Sequence, residues 1–289
     1  MNIALTGSSG LIGSHLLEDL KEMGHQVLQI SSSQSQHKNN IYSYDEIELK
    51  KSSFIPDYFF HLASINSNLT ENEILLEVAL ANKVMDFMEI LDCKNIIFFS
   101  TIKVYGDNSF AVNQFTEDSN LDPVCNYGKA KRDCEKVIAL CAKQKNINFT
   151  ILRMPPLMIN HSKSNLGKLF QVVQKGIPIP TFKVGNKNQR SFLSYDLLLS
   201  VIQNILLEKS KSSNQIFNVA DSQVISTNDL LIRMGEQLDK RVRFIYLPNF
   251  IFKLMMRINR LQLILLRLYG NFYISNAKLK QTFQLPDSA

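Results

Sequence analysis

The sequence lacks the features of a secreted protein or of a zinc-bound one. Only four cysteines occur in 289 residues, and their spacings fit no zinc-ligand pattern (Cys93, Cys125, Cys134 and Cys141). Four cysteines are too few for a disulfide framework in a chain of this length, which favours a reducing compartment. The opening residues, MNIALTG, show no basic segment followed by an apolar one, as a signal peptide would. We therefore expect a cytoplasmic protein without a metal site.

Long apolar runs and dense basic segments are missing too. No stretch of 18 or more uncharged apolar residues occurs, so no membrane-spanning helix is expected. The 32 basic and 26 acidic residues leave a net charge of +6, and these charges do not gather into a nucleic-acid-binding arm. The balance suits an anionic small-molecule ligand and argues against nucleic acid as a partner.

What the chain does contain is a series of apolar runs that alternate with helical patterns. The strand-like runs are 2–7, 25–31, 56–64, 93–101 and 147–154, and the helical patterns are 10–24, 71–92 and 127–146. Strands that alternate with helices over short connections imply right-handed crossovers and parallel pairing. The pattern predicts an α/β fold, a Rossmann-type doubly wound parallel sheet with a smaller C-terminal substrate lobe.

The alternation weakens after residue 155, which suggests how the domains divide. We expect a dinucleotide-binding domain over 1–155, to which 190–221 returns, and a substrate-binding lobe built from 156–189 and 222–289. The last seventy residues have a helical pattern.

Within the lobe, 250–270 is strongly apolar and is predicted to form one helix. Its cations would share a face (Lys253, Arg257, Arg260 and Arg267). Such a helix can lie on an anionic membrane, but a lobe helix with one solvated face is the favoured interpretation. Membrane association is therefore not expected.

A glycine-rich turn, TGSSGLIG, lies where the first predicted strand meets the first predicted helix. There Gly7 would form the turn, Gly10 would let the backbone approach a pyrophosphate, and Gly13 would let the helix pack on the sheet. The position favours dinucleotide binding over a plain turn. The loop residues between these glycines are then cofactor-binding candidates (Ser9, Leu11 and Ile12).

The segment after the second predicted strand has no acidic residue from Met23 to Tyr44. An acid there usually binds the ribose 2′-hydroxyl of NAD. The segment carries hydroxyls and cations instead (Ser31, Ser32, Ser33, His37 and Lys38). This composition predicts an NAD(P) site with NADP(H) slightly favoured; a solvated loop is the other interpretation.

The segment YGKAK places Tyr127 and Lys131 one helical turn apart on the same helix face. A cation one turn away favours ionisation of a phenol, so the pair could act as an acid–base centre, although the same spacing occurs on ordinary helix surfaces. Ser100 and Thr101 end a predicted parallel strand, at the sheet edge where ligands bind.

Several motifs in this order resemble the extended short-chain dehydrogenase/reductase family, the NAD-dependent epimerase/dehydratase group. They are TGSSGLIG, FHLAS (60–64), STIKVYG (100–106) and PVCNYGKAK (123–131). The resemblance implies that Tyr127 is the acid–base, that Lys131 tunes it and holds the nicotinamide ribose, and that Thr101 is the catalytic hydroxyl. It also implies further cofactor contacts (Leu62, Ala63, Ser64, Asn82 and Ser100). A plain helix-surface residue is the other interpretation of Asn82, and Ser100 is the alternative to Thr101 as the catalytic hydroxyl. His61 would be mostly structural.

The family's chemistry is hydride transfer at a sugar carbon, commonly C4. Lys103 in STIKVYG stands where many epimerases have a small or hydroxyl residue. Three later segments are similar to enzymes that reduce or epimerise 4-keto-6-deoxy-2-acetamido nucleotide sugars for surface polysaccharides: LRMPPLMI (152–159), KGIPIP (175–180) and NQRSFLSYDLL (188–198). Lys103 and Arg190 are the substrate-binding candidates. Arg190 would bind the diphosphate, a task that suits a guanidinium; a surface turn charge is the alternative. The resemblance favours a 4-keto-sugar reductase over a 4-epimerase of the same family.

Two departures from the family pattern concern the sugar pocket. Met158, Ile159 and Asn160 replace the usual YGP segment, and Pro156 stands where an Asn often binds substrate. These departures keep a second class of function open, a non-catalytic NAD(P)-binding sensor or scaffold. The family often forms a homodimer through helices that correspond to 71–92 and 127–146, so a homodimer is expected.

Overall fold

The computed structural model describes residues 1–32, 41–50, 53–65, 69–111, 114–159 and 165–286. The chain divides into two compact units. The first comprises Met1–Gly106, Asn120–Met154 and Leu199–Asn218, and the second comprises Asp107–Ser119, Pro155–Leu198 and Val219–Ala289.

The described elements are eleven strands and ten helices. The strands are β1 (Asn2–Thr6), β2 (Gln26–Ser31), β3 (Ile41–Ser43), β4 (Tyr58–His61), β5 (Asn95–Thr101), β6 (Gln114–Phe115), β7 (Asn148–Met154), β8 (Ile179–Thr181), β9 (Gln215–Asn218), β10 (Phe244–Tyr246) and β11 (Tyr273–Ile274). The helices are α1 (Leu11–Glu22), α2 (Glu71–Ile90), α3 (Asn126–Lys145), α4 (Asn165–Gln174), α5 (Tyr195–Leu207), α6 (Lys209–Ser212), α7 (Thr227–Gln237), α8 (Asn249–Met255), α9 (Asn259–Tyr269) and α10 (Ala277–Phe283).

The first unit is built on a seven-stranded sheet in the order β3-β2-β1-β4-β5-β7-β9, and every pair in it is parallel. The chain reverses its direction of winding between β1 and β4. Ligands of doubly wound sheets bind at this reversal, outside the carboxyl ends of the two strands. The predicted fold class is therefore confirmed, and the glycine turn that follows β1 lies at the reversal.

Helices cover both faces of this sheet because its strands are apolar on both sides. Ala4, Phe59 and Phe98 point to the face where the buried side chains of α2 and α3 pack. Tyr58 points to the opposite face and donates its hydroxyl hydrogen to the carbonyl of Ile205 in α5, at 3.1 Å. Residues two apart on a strand share a face, so Thr6 and His61 lie on the α2–α3 side.

The second unit differs from the sequence prediction in its last seventy residues, which are not all helical. β10 pairs with β8, and β11 pairs with β6, all in parallel. These strands are two or three residues long, too short for an alternating pattern to be recognised in the sequence.

The segment 250–270 is not one helix either, and this corrects the sequence prediction. It forms α8 and α9, and Ile258 between them is extended, with φ −106° and ψ 111°. Both helices bury side chains on one cluster around Phe182, Leu265 and Tyr269, so apolar residues continue through the whole segment. The apolar pattern of the sequence therefore does not indicate where the first helix ends. Within the part of the chain that the structure describes, no helix is both long and apolar enough to cross a bilayer.

Candidate functional site

The glycine turn after β1 is closed so tightly that two of its positions have no room for a side chain. Gly7 has a φ of +79°, and a Cβ on it would lie 2.6 Å from the backbone nitrogen of Ala63. A Cβ on Gly13 would lie 2.0 Å from the carbonyl oxygen of Gly7. The first turn of α1 therefore lies directly on the end of β1, which a residue other than glycine at position 13 would prevent.

The amino end of α1 is left open toward the reversal of the sheet. Gly10 is its N-cap and offers no side-chain cap, and Ser9 and Gly10 are exposed, with Leu11 and Ile12 half-buried. Uncapped N–H groups and the helix dipole make such an end favourable for an anion. The geometry suits a pyrophosphate.

The end of β4 supports the same turn through a buried polar contact. Thr6 Oγ1 lies 2.9 Å from His61 Nδ1, and the backbone N–H of Ala63 donates to Thr6 Oγ1 at 3.4 Å. Burial lowers the pKa of His61 to about 3, and the Lys131 ammonium acts in the same direction. His61 is therefore a neutral imidazole at physiological pH, with a structural role in holding β1 and β4 together.

Leu62, Ala63 and Ser64 follow β4 and are half-buried. The hydroxyl oxygen of Ser64 is shielded from solvent and has no hydrogen-bond partner among the described residues. A buried polar atom without a partner is uncommon in proteins, and a bound polar ligand is one way to satisfy it.

The start of α3 is brought against the turn that follows β5. Thr101 ends β5, and its hydroxyl oxygen accepts from the backbone N–H of Lys103 at 3.3 Å, which caps the short 3-10 turn Ile102–Tyr105. A Cβ on Gly128 would lie 2.5 Å from the carbonyl oxygen of Lys103. The glycine in YGKAK thus allows the helix of Tyr127 to approach the turn that Thr101 begins.

Tyr127 and Lys131 lie side by side on α3, as their spacing predicts. Lys131 Nζ is 5.9 Å from the centre of the Tyr127 ring and 4.9 Å from that of Phe98. The same ammonium forms an ion pair with Glu77 of α2, with 3.1 Å between Nζ and Oε1, and both side chains are only 2% exposed. The second carboxylate oxygen of Glu77 accepts from the backbone N–H of Ile65 at 2.9 Å.

The acidity of Tyr127 is set by opposing influences. Burial raises the pKa of the phenol most, the Lys131 ammonium lowers it, and Glu77, Cys125 and Cys134 raise it; the net direction is upward. The pKa of Lys131 is raised as well, because Tyr127, Glu77 and Cys134 together outweigh the effect of burial on its charge. The protein alone therefore does not acidify the phenol, because burial, with a smaller effect from Glu77, outweighs the effect of Lys131.

A second buried network anchors α3 one turn further along. Glu135 accepts hydrogen bonds from the Ser100 hydroxyl and from the Arg153 guanidinium, whose Nη2 lies 2.7 Å from Oε2. Arg153 Nη1 also donates to the Tyr105 hydroxyl at 2.9 Å, and that hydroxyl donates to Asn218 at 2.7 Å. The Ser100 side chain is therefore engaged inside the layer between sheet and helix.

Sequence reasoning missed Glu77, Glu135 and Arg153. A signal existed for the first, because Glu77 falls on the stripe of α2 that also carries the buried residues Ala81 and Val84. A carboxylate inside an apolar helix stripe indicates a buried partner, but nothing in the sequence identifies Lys131, 54 positions away, as that partner.

Asn82 lies on an exposed part of α2, and its side-chain amide donates to the carbonyl of Val78 in the same helix, at 3.0 Å. Its cofactor contact stays a prediction. The residue of α2 that pairs with Lys131 is Glu77.

The two substrate candidates lie in different units. Lys103 is half-buried in the turn after Thr101. Arg190 belongs to the second unit, with its guanidinium 5.4 Å from the centre of the Phe192 ring. Arg190 is half-buried, and burial lowers the pKa of its guanidinium to about 10. It is thus a partly buried cation that an anionic ligand would stabilise.

The segment after β2 is only partly described. Ser31 ends β2 and is half-buried, and Ser32 is exposed. Ser33, His37 and Lys38 lie outside the described residues. So does Asn160, the last of the three residues that replace the usual YGP segment of the family. Within the described ranges, no group of three or more His, Cys, Asp or Glu residues could hold a metal ion.

The residues around the sheet reversal fit a nicotinamide dinucleotide. The Gly7–Gly13 turn leaves a cradle without side chains beneath the open end of α1, and Ser64 presents a buried hydroxyl without a partner in the described chain. Gly7, Gly10 and Gly13 would hold the pyrophosphate. Lys131, for which the family resemblance implies a contact to the nicotinamide ribose, keeps ammonium donors that Glu77 does not occupy.

Comparison with known proteins agrees with this geometry. The model of the NAD dependent epimerase/dehydratase family matches residues 3–220. A UDP-glucose 4-epimerase of Vibrio cholerae is 26% identical over 298 residues, covering 97% of this chain and 89% of the relative.

Two solved structures share the fold. One is a UDP-glucose 4-epimerase of Thermotoga maritima with UDP-glucose, with a TM-score of 0.72 and 21% identity, covering 97% of this chain and 92% of that one. The other is a UDP-glucuronic acid 4-epimerase of Bacillus cereus in complex with NAD, with a TM-score of 0.74 and 18% identity, covering 100% and 95%. The motifs, the sheet order and the family match agree, and the chain belongs to the NAD dependent epimerase/dehydratase family.

Proposed function

We propose that the protein is an enzyme that interconverts C4 epimers of a nucleotide-activated sugar. The observation that carries the proposal is the Tyr127–Lys131 pair on α3. Because Gly128 has no side chain, α3 can pack closely against the turn that follows Thr101. An acid–base group, a neighbouring cation and a hydroxyl at the carboxyl edge of a parallel sheet suit proton transfer to and from a sugar oxygen. The name of the Vibrio cholerae relative supports the epimerase form of this chemistry.

Each residue has a defined part in the reaction. A nicotinamide dinucleotide held by the Gly7–Gly13 turn and by Lys131 would supply reversible hydride transfer at C4 of the sugar. Tyr127 is the general base that takes the proton of the C4 hydroxyl as the C4 carbonyl forms, and it gives the proton back in the reverse step; the positive charge of an oxidised nicotinamide would add to that of Lys131 in favouring the phenolate. Thr101 donates a hydrogen bond to the C4 oxygen, and Lys131 favours the phenolate by its charge. Epimerisation consumes no cofactor because the hydride and the proton both return.

Arg190 is proposed to bind the diphosphate of the substrate. Its side chain is half-buried, burial lowers the pKa of its guanidinium, and among the described residues it forms no ion pair, so an anion would gain a strong charge-assisted contact. Lys103, next to the catalytic turn, is the second candidate contact to the substrate. We further propose that the cofactor site accepts NADP(H) as well as NAD(H), because the segment from Met23 to Tyr44 contains no acidic residue.

A 4-keto-sugar reductase remains the second candidate, favoured by Lys103 in the STIKVYG segment. The two functions are separated by incubating the purified protein with UDP-N-acetylglucosamine and NAD+ or NADP+, and with a UDP-4-keto-6-deoxy sugar and NADH or NADPH. Product with no net change in absorbance at 340 nm identifies an epimerase, whereas stoichiometric loss of absorbance identifies a reductase. Dinucleotide binding without product from either substrate would refute both and favour a non-catalytic sensor.

Tyr127→Phe tests the acid–base assignment. Loss of a general acid–base group lowers kcat by roughly 10²- to 10⁴-fold, while NADH binding, followed by fluorescence, should stay near wild type. Tyr246→Phe is the matched control, because Tyr246 is a surface tyrosine 48% exposed in β10. A Tyr127→Phe enzyme with wild-type kcat would show the assignment to be wrong.

A further inference from the structure

The positive charge of the protein is concentrated in one part of the second unit. Residues 240–286 contain nine basic residues and no Asp or Glu (Lys240, Arg241, Arg243, Lys253, Arg257, Arg260, Arg267, Lys278 and Lys280). The rest of the chain therefore has 23 basic and 26 acidic residues. The net charge of +6 comes entirely from this segment, which is also the segment that forms α8 and α9.

The outward sides of α8 and α9 combine these cations with large apolar side chains. Four residues in and just after α8 are exposed at helical spacing, two of them apolar (Phe250, Lys253, Leu254 and Arg257). Four residues of α9 repeat the arrangement (Arg260, Leu263, Ile264 and Arg267). We call these eight residues the α8–α9 surface.

The exposure of the apolar members is high: Phe250 is 67% exposed, Leu254 58%, Leu263 56% and Ile264 48%. They are not needed for the core of the unit, because the opposite sides of both helices already pack on Phe182 and its cluster. Neighbouring apolar side chains left in water at this density indicate a surface that binds something.

Charge complementarity determines the kind of partner. No carboxylate pairs with the cations of the α8–α9 surface in the described parts of the chain, so its occupant should be negatively charged. A second copy of the same surface would bring cations against cations and is disfavoured. Nucleic acid would neutralise the arginines but leave leucine and isoleucine side chains uncovered.

A bilayer that contains anionic lipid satisfies both requirements at once. Its phosphate headgroups attract the cations, and its acyl-chain boundary receives Phe250, Leu254, Leu263 and Ile264. Cations beside short apolar helix faces are the composition of helices that lie in the membrane interface without crossing it. We propose that the α8–α9 surface docks the protein onto the surface of a bilayer containing anionic phospholipid.

This proposal reverses the sequence expectation that the protein does not associate with membranes. That expectation treated 250–270 as one helix with its cations on one solvated face. The structure instead distributes cations and exposed apolar residues over two short helices. The proposal concerns the second unit alone and does not depend on which reaction the first unit supports.

Flotation with lipid vesicles tests the proposal on the full-length protein. Vesicles of phosphatidylcholine with one quarter phosphatidylglycerol should carry the protein upward in a density gradient, and vesicles of phosphatidylcholine alone should not. Each cation near an anionic surface contributes roughly a fivefold change in partitioning. Salt at 0.5 M should therefore release most of the bound protein.

Two variants separate the parts of the surface. The apolar variant changes Phe250→Ser, Leu254→Gln, Leu263→Gln and Ile264→Gln, and the charge variant changes the four cations of the surface to Gln. Each should lower the partition coefficient at least tenfold. The matched control is Leu207→Gln in α5, because Leu207 is an isolated leucine, 80% exposed, in the first unit; it should bind within twofold of wild type.

All the replaced residues are exposed, so thermal melting of the variants should stay near wild type, and NADH binding in the first unit gives an independent check of folding. Absence of flotation on anionic vesicles would overturn the proposal and leave an acidic protein as the occupant. Flotation of either variant at the wild-type level would overturn it too. The bilayer would then be bound by another surface, or by only one of the two kinds of side chain.

Discussion

Replacement of Glu77 by Gln is the most informative single change in the candidate site. Glutamine keeps the size of the side chain and an oxygen that can accept from the Ile65 N–H, so the change removes little besides the negative charge. That charge is paired with Lys131 at 3.1 Å, and both groups are almost completely buried. The perturbation therefore acts on one electrostatic interaction next to Tyr127.

Two effects should follow from this change. Opposite unit charges 3.1 Å apart attract by about 5 kcal/mol at an effective dielectric constant near 20, and removing one partner of a buried pair typically costs about 3–5 kcal/mol. We expect Glu77→Gln to lower the free energy of unfolding by about 3 kcal/mol, because glutamine still accepts a hydrogen bond. The pKa of Tyr127 should fall, because Glu77 raises it in the wild-type protein while Lys131 lowers it.

The stability is measured by urea unfolding, and the acidity by ¹³Cζ-tyrosine NMR over a pH series. The Tyr127 resonance is identified among the nine tyrosines by its absence in Tyr127→Phe. The matched control is Asp86→Asn, on the same helix but 66% exposed and paired with Lys145, which should change stability by less than about 0.5 kcal/mol. If Glu77→Gln unfolds like the control, or its Tyr127 titrates at the wild-type pH, the electrostatic account of this site is refuted.

Three further changes test other parts of the molecule. The pKa of His61 is about 3 in the folded protein and near 6.5 in the unfolded chain, so below pH 6.5 the unfolded state binds a proton that the folded state does not. The free energy of unfolding should therefore fall by about 2 kcal/mol between pH 6.5 and 5. Urea unfolding of His61→Asn over the same pH range should lack this loss of about 2 kcal/mol. Gly13→Ala should lower NADH affinity at least 100-fold by forcing α1 away from the carbonyl of Gly7, whereas Gly24→Ala, with nothing within 4 Å, should leave NADH affinity unchanged in the same titration. Arg190→Met should raise KM for the nucleotide sugar roughly tenfold or more with little change in kcat, and Arg190→Lys should raise it less; an unchanged KM in steady-state assays would remove Arg190 from the substrate site.

The sequence predicted those parts of the fold that short-range patterns encode. The buried strands β1, β4, β5 and β7 are continuous apolar runs, and the glycines of the first turn mark a position where a Cβ cannot fit, so both could be recognised from local spacing. The family assignment, which rested on motifs of this kind, was confirmed by the family match over residues 3–220.

The missed features depend on contacts between residues far apart in the chain. β3 has only three residues and is defined by its pairing with β2. The pairing of Glu77 with Lys131 depends on how α2 and α3 pack, which no local pattern encodes. The break at Ile258 depends on both helices turning toward one cluster, which an apolar pattern alone cannot locate.

The buried charges on α3 fix the position of Tyr127. Tyr127, Lys131 and Glu135 follow one another at single-turn intervals, and the two charged residues pair with different elements, Glu77 of α2 and Arg153 of β7. Apolar packing alone would permit small slides and rotations of the helix, whereas hydrogen-bonded ion pairs require one register because any displacement leaves a buried charge unpaired. Buried ion pairs add little net stability compared with apolar packing, so their contribution here is geometric. They hold the Tyr127 phenol in one place relative to the turn after β5, and a fixed position is what its proposed role as a general acid–base requires.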